Sequence, residues 1–194
     1  MKRIGVLALQ GAFERHAVVL RELSHQAVMV TAPEQLADLD GLVLPGGEST
    51  TQLTLIACFG LEEELHRFVR SGRPILATCA GVILAAREVK NPEQHCFGWI
   101  DLTVVRNAYG RQLDSFECAS DNATTSTAIF IRAPRIIAHG PAVQVLARHN
   151  GEPVLVRERN VTCATYHPEL CGDANVHAEV FGAENEAPSI LYAV

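Results

Sequence analysis

Short apolar runs recur through the first half of the chain, each followed by a stretch with helical periodicity, and this alternation restricts the fold more than any other feature. Arg3 to Leu9 reads as a strand and Ala12 to Leu23 as an amphipathic helix. Ala27 to Thr31 and Gly41 to Leu44 are further strands, Leu61 to Val69 is helical, and Pro74 to Thr78 and Gly81 to Val89 repeat the strand–helix pair. Strands separated by single helices build βαβ units, and hence a parallel sheet covered on both faces.

The second half differs. Val143 to Arg148 and Pro153 to Arg157 flank His149-Asn150-Gly151-Glu152, and Asn-Gly is a strong hairpin signal. Val161 to Tyr166 reads as one more strand, residues 118 to 128 as a loop, and Asp173 to Phe181 as the last helix. No repeat or interdomain linker is visible. The expectation is one α/β domain over residues 1–194, with an open, mixed but mostly parallel sheet and helices on both faces. A chain of 194 residues, 48% of them apolar, has the length and composition for one substantial core.

Charge narrows the partners. The net charge is −6, with no basic run, which argues against nucleic acid as the main ligand. No apolar stretch approaches the ~20 residues of a membrane span. Ile4 to Leu9 stops at Gln10 without a cleavage site, so it reads as a buried strand rather than a secretory signal. A cytosolic protein is expected. Its six cysteines are scattered without a C-x-x-C pair, consistent with reduced thiols. Cys163, His167 and Cys171 have helical metal-site spacing, but their β-branched surroundings read as strand, so no metal is expected.

Three segments carry chemistry. Ile75 to Ala85 places Cys79 between an apolar strand and a helix, flanked by Ala77, Ala80 and Gly81. A sharp strand-to-helix turn tolerates only small neighbours, and this is the pattern of a nucleophile elbow. The backbone N–H of Ala80 would then face a developing oxyanion. In Tyr166-His167-Pro168-Glu169, Pro168 disfavours helix at His167 and holds the segment extended. Residues two apart would then share a face, so Glu169 could orient His167 while its other ring nitrogen faces Cys79. Leu44-Pro45-Gly46-Gly47-Glu48-Ser49-Thr50-Thr51 ends another strand, and its glycines free the backbone to present N–H groups. It lacks the lysine of a phosphate-binding loop; as a plain turn, Ser49 or Thr50 would cap the next helix. All three segments fall at the carboxyl ends of strands, where open α/β sheets build their sites.

Together these segments resemble class I, triad-type glutamine amidotransferases, a flavodoxin-like three-layer fold with a cysteine elbow. Within that class, Leu9-Gln10-Gly11-Ala12, Pro45 to Thr51, Thr78 to Gly81, Arg106 to Phe116, Phe130 to Pro134 and His167 to Leu170 resemble the glutaminase subunits of pyridoxal 5′-phosphate synthases. The Arg106 and Phe130 segments are the most discriminating, because other class I glutaminases share the triad but not these. The resemblance runs from about residue 4 to about residue 170.

It implies hydrolysis of L-glutamine to L-glutamate and ammonia. The ammonia passes to a partner (βα)₈-barrel synthase subunit, which makes pyridoxal 5′-phosphate from a pentose phosphate and a triose phosphate. Cys79 is implied as nucleophile forming a γ-glutamyl thioester, His167 as general base and acid, and Glu169 as its orienting group. Gly46, Gly47 and Ala80 would form the oxyanion hole. Gly47, Glu48, Ser49, Arg106, Ile131 and Arg132 match glutamine-holding positions, and an arginine suits the α-carboxylate. Gln10 and the helix bearing Arg15 and His16 are expected at the partner surface or its gating path. No cofactor is implied. Ala77 departs from the family's usual glycine, the Cys118 to Ala128 loop looks short, and the chain beyond Leu170 lacks the family's long basic helix. A free-standing cysteine hydrolase of the γ-glutamyl hydrolase kind, or a non-catalytic docking subunit, is the competing reading.

Overall fold

The structure is a computed structural model that describes residues 1–106, 116–118 (backbone only), 128–172 and 174–182. Strands β1 (Arg3–Leu7) and β2 (Gln26–Val30) are joined by helix α1 (Phe13–Glu22), β2 and β3 (Gly41–Leu44) by a 3₁₀ turn (Pro33–Leu36), and β3 and β4 (Ile75–Thr78) by helices α2 (Ser49–Cys58) and α3 (Glu62–Arg70). Helix α4 (Ala80–Ala85) runs straight into β5 (Ala86–Lys90), followed by β6 (Ile100–Val105), β7 (Phe116–Cys118), β8 (Ala128–Phe130) and β9 (Arg135–His139). The chain closes with β10 (Gln144–His149), β11 (Glu152–Glu158), β12 (Val161–Ala164) and helix α5 (Asn175–Phe181).

Seven strands form the main sheet in the order β10-β11-β12-β4-β3-β1-β2. The five from β12 to β2 are parallel, and β11 and β10 add antiparallel at one edge. This is the expected mixed, mostly parallel sheet. The β10–β11 hairpin turns through Asn150 and Gly151, both with positive φ, as a tight primed turn requires.

Every residue of β3, β4 and β12 is buried, because these central strands are covered on both faces. The two-residue period divides them between two cores. Leu42, Leu44, Ile75 and Ala77 pack with Ile56, Leu65 and Phe68 of α2 and α3. Val43 and Leu76 pack on the other side with Leu20 of α1 and Val176 and Phe181 of α5.

Several elements differ from the sequence reading, which assigned no strand at β6 or β9. The helix expected over Gly81 to Val89 stops at Ala85, where Ala86 turns extended (φ −60°, ψ 158°). Residues 86–90 then pair parallel with β6 in a separate three-stranded sheet, β5-β6-β9. Helix α2 (Ser49–Cys58) is the helix that the plain-turn reading of the Gly-Gly segment leads into. The expected last helix begins at Asn175 rather than Asp173. Most of the expected 118 to 128 loop, the 107–115 part of the Arg106 segment and the tail beyond residue 182 lie outside the described residues.

Candidate active site

Strands β3, β4 and β12 are adjacent and parallel, with Leu44 level with Ala77 and Ala164 level with Thr78. The segments that follow them therefore emerge side by side at one edge of the sheet: Pro45-Gly46-Gly47, Cys79, and Thr165 to Glu169. A backbone hydrogen bond from Cys79 N–H to Ala164 O (2.9 Å) ties the second segment to the third.

Cys79 sits at φ 46°, ψ −104°, a conformation that L-residues rarely adopt. Such strain persists where the surroundings enforce it, and it is common at functional sites. The close packing of the elbow is visible at Gly81, whose added Cβ would lie 2.3 Å from Leu44 O. The thiol is nearly buried, with Sγ 3.7 Å from the carbonyl oxygen of Ile131.

The backbone N–H of His167 donates to Ile129 O (2.9 Å), and its Nδ1 lies 2.7 Å from Glu169 Oε1. Burial works against a charged imidazole here. Hydrogen bonds and charge interactions with Cys79 and Glu169 outweigh it, raising the His167 pKa to about 10. His167 and Glu169 are side by side as expected, but not through an extended backbone. Pro168 opens a 3₁₀ turn over Pro168–Leu170, since its fixed φ suits the first position of a helical turn, and that turn carries the carboxylate back to the ring.

The Glu169 side chain is fully buried. Burial alone would raise its carboxyl pKa. The neighbouring His16 and His167 imidazoles, together with the His167 hydrogen bond, hold it below the usual carboxylate range.

The Gly-Gly turn serves close approach. A Cβ on Gly46 would lie 2.4 Å from His167 Cε1, and one on Gly47 would lie 2.4 Å from Gln10 Oε1. Gly46 O accepts from Ala12 N–H (3.1 Å), so the trans peptide turns the N–H of Gly47 away from Ala12. Glu48, rather than Ser49 or Thr50, caps α2. Its Oε2 accepts from Thr51 N–H (2.8 Å) and from the Thr50 hydroxyl, while Oε1 takes Arg106 Nη2 at 3.1 Å. Desolvation opposes ionisation of Glu48, but the hydrogen bonds from Thr50 and Thr51 bring its pKa down to about 2. Ser49 is buried and donates to Gln94 Oε1 (2.9 Å).

These side chains surround a cleft of about 190 Å³. The structure brings to it Gly47, Glu48, Ser49, Cys79, Ala80, Arg106, Ile131, Arg132 and His167, with Gln10 at the same wall. Gly46 lies against Cys79 and His167 just behind it. Ile83, one turn into α4, is an apolar wall that sequence reasoning missed. Gln52 was also missed; it is buried and donates to Gln10 O and Pro45 O, both at 3.1 Å, tying the segment after β1 to the segment after β3.

His16 is a correction. It does not lie at a partner surface: it is completely buried behind Glu169, with Nε2 3.3 Å from Glu169 Oε2. Its place in the apolar stripe Phe13, His16, Ala17, Leu20 is the sequence signal that points inward. Gln10 is half-buried in the cleft wall and accepts from Glu48 N–H (2.7 Å), whereas Arg15 is exposed. Among the described residues, no group of His, Cys, Asp and Glu could hold a metal ion. Cys163 is buried in β12, and burial pushes its thiol pKa up.

Residues 6–184 match the SNO glutamine amidotransferase family. The pyridoxal 5′-phosphate synthase subunit PdxT of Koribacter versatilis is 50% identical over 179 residues, covering 90% of this chain and 92% of its own. The protein of the same name from Thermotoga maritima is 45% identical over 179 residues, covering 90% and 95%. A crystal structure of a glutamine amidotransferase superposes with a TM-score of 0.85 at 41% identity, covering 91% of this chain and 96% of that one. A chain from the structure of PurLQS from Thermotoga maritima superposes with a TM-score of 0.63 at 18% identity, covering 93% and 98%, a likeness of fold alone.

Proposed function

Since this chain belongs to the SNO glutamine amidotransferase family, we propose that Cys79, His167 and Glu169 perform its hydrolysis of L-glutamine and that residues 1–194 act as one amidotransferase domain. His167 holds the proton drawn from the Cys79 thiol as Sγ attacks the carboxamide carbon of glutamine. The negative charge moves to the carboxamide oxygen, opposite the N–H groups of Ala80 and the Gly46-Gly47 turn. Collapse breaks the C–N bond, His167 delivers its proton to the leaving nitrogen, and ammonia departs from a γ-glutamyl thioester. Water, deprotonated by His167, then attacks the thioester, the C–S bond breaks, glutamate is released and His167 returns its proton to the sulfur. Glu169 holds the ring and balances its charge throughout. Gly47, Glu48, Ser49 and Ile131 shape the substrate subsite, where Arg106 and Arg132 offer guanidinium groups for the α-carboxylate.

The relatives named as synthase subunits support a role as the glutaminase subunit of pyridoxal 5′-phosphate synthase. Ammonia would pass to a (βα)₈-barrel synthase subunit in a cytosolic complex. Among the described residues, no helix is long and apolar enough to cross a membrane.

The observation that carries this reading is the 2.7 Å His167–Glu169 contact beside the strained Cys79 elbow. Its test is ammonia release from L-glutamine, with and without the barrel subunit, for the wild type and Cys79→Ala. Strong release only from the wild-type complex is the expected result. No release despite confirmed complex formation would favour a docking subunit, and equal release without the partner would indicate a free-standing hydrolase.

A further inference from the structure

Behind the triad, on the side away from the cleft, two histidines from different helices are buried end to end. His16 of α1 and His177 of α5 are both completely inaccessible, with His16 Nδ1 2.8 Å from His177 Nε2. The other nitrogen of His16, Nε2, faces Thr78 Oγ1 at 3.2 Å and Glu169 Oε2 at 3.3 Å. Glu169 Oε1 is occupied by His167, while Oε2, also buried, makes no well-aligned hydrogen bond among the described residues. His177 Nδ1 is likewise buried without a partner.

Hydrogen-bond accounting selects one arrangement of protons. A carboxylate oxygen has only lone pairs to offer, so the nitrogen facing it must carry the hydrogen. His16 is then the Nε2–H tautomer, its N–H aimed at the Thr78 hydroxyl with its positive end toward Oε2 of Glu169, 3.3 Å from the nitrogen. Its Nδ1 is left as an acceptor, and the 2.8 Å contact requires His177 to donate from Nε2. His177 Nδ1 becomes a bare lone pair, the less costly group to leave buried alone. The opposite assignment would set two lone pairs against each other at Glu169 and strand a buried N–H on His177.

We propose that His16, itself held by His177, is a positioning residue for the Glu169 carboxylate, so that the hydrolytic array runs Cys79–His167–Glu169–His16–His177. The proposal rests on the glutaminase reading above. Orienting a catalytic imidazole requires a carboxylate that cannot rotate. Glu169 has one oxygen fixed by the ring it serves, and His16 restrains the other from behind. An apolar residue at position 16 would fill the space without that N–H.

The test has two arms. In the folded wild-type chain, long-range ¹H–¹⁵N correlation spectra report which ring nitrogen carries the proton. His16 and His177 are expected as neutral Nε2–H tautomers at pH 7, and an Nδ1–H tautomer at His16 would overturn the proposal. In the complex with the barrel subunit, His16→Leu is expected to lower kcat for ammonia release about tenfold or more, with KM within about twofold of wild type. His16→Gln, whose amide returns an N–H toward Glu169, should recover most of that loss. Equal slowing of both variants, or of neither, would reduce His16 to packing. Should His16→Leu fail to fold, the spectra of the wild type still decide. A wild-type complex that releases no ammonia, with the tautomers as expected, would sink the glutaminase reading and leave the His16–Glu169 link standing.

Discussion

Glu169 is buried against two imidazoles, and this sets how the fold responds to pH. His177 has its pKa lowered by burial to about 3, and His16 is lowered for the same reason. A histidine that is neutral in the native state and ordinary in the unfolded chain contributes stability that is fully present above pH 6.5 and lost as the pH falls. His167 behaves in the opposite sense: raised to about 10, it contributes stability that is complete below pH 6.5 and lost as the pH climbs toward 10. The urea midpoint should therefore be highest near neutrality and decline on both sides. The acid decline should approach about 1.4 kcal/mol per pH unit for His177, with His16 acting in the same direction. His177→Leu should flatten the acid limb and leave the alkaline one; an unchanged acid limb would show that His177 does not titrate with unfolding. The helical period of α1 carries a signal for the burial of His16, in the stripe with Ala17 and Leu20, that the partner-surface reading passed over. Its contact with Glu169 was not legible, because it joins residues 153 positions apart through tertiary packing alone.

The elements that surround the cleft depend on backbone approach more than on side-chain fit. Gly11 has φ 101°, and a Cβ there would lie 1.8 Å from Gly46 O, the oxygen that Ala12 N–H holds. Gly11→Ala should therefore break that hydrogen bond and shift the Gly46-Gly47 turn. The expected cost is about 1–3 kcal/mol in stability together with a fall in kcat of the complex. Wild-type kcat in a folded Gly11→Ala protein would show that the turn is placed by something else. The same scale explains which elements could be read in advance. The β3 and β4 runs are uniformly apolar, and Asn150-Gly151 announces its hairpin. The extent of helix α2 hides because its inward positions are Ser49, Gln52 and Ile56, two of them polar, and because its cap is a glutamate. Strand β5 was read as helix because Val82, Ala85 and Val89 fall at helical spacing; pairing with β6 overrides that local pattern. The meeting of Cys79 and His167 was legible through their strand-end positions, whereas the 3₁₀ turn that delivers Glu169 was not.

At the scale of the molecule, the residues proposed as nucleophile and base follow neighbouring strands of one sheet but come from distant parts of the chain. Strand β4 pairs with β12, and between them lie the second sheet and the β10–β11 hairpin. Contacts of such long sequence separation form late, after the entropy of closing a large loop has been overcome. Refolding followed by ammonia release in the presence of the barrel subunit should therefore lag behind the recovery of helical circular dichroism. Coincident recovery would show that β4 and β12 meet early. There is also a consequence for synthesis. A nascent chain emerging from the ribosome displays Cys79 long before it has His167, so the half-made protein is chemically mute toward glutamine. The pair proposed to cleave glutamine is completed only when β12, the last strand of the sheet to be made, settles beside β4.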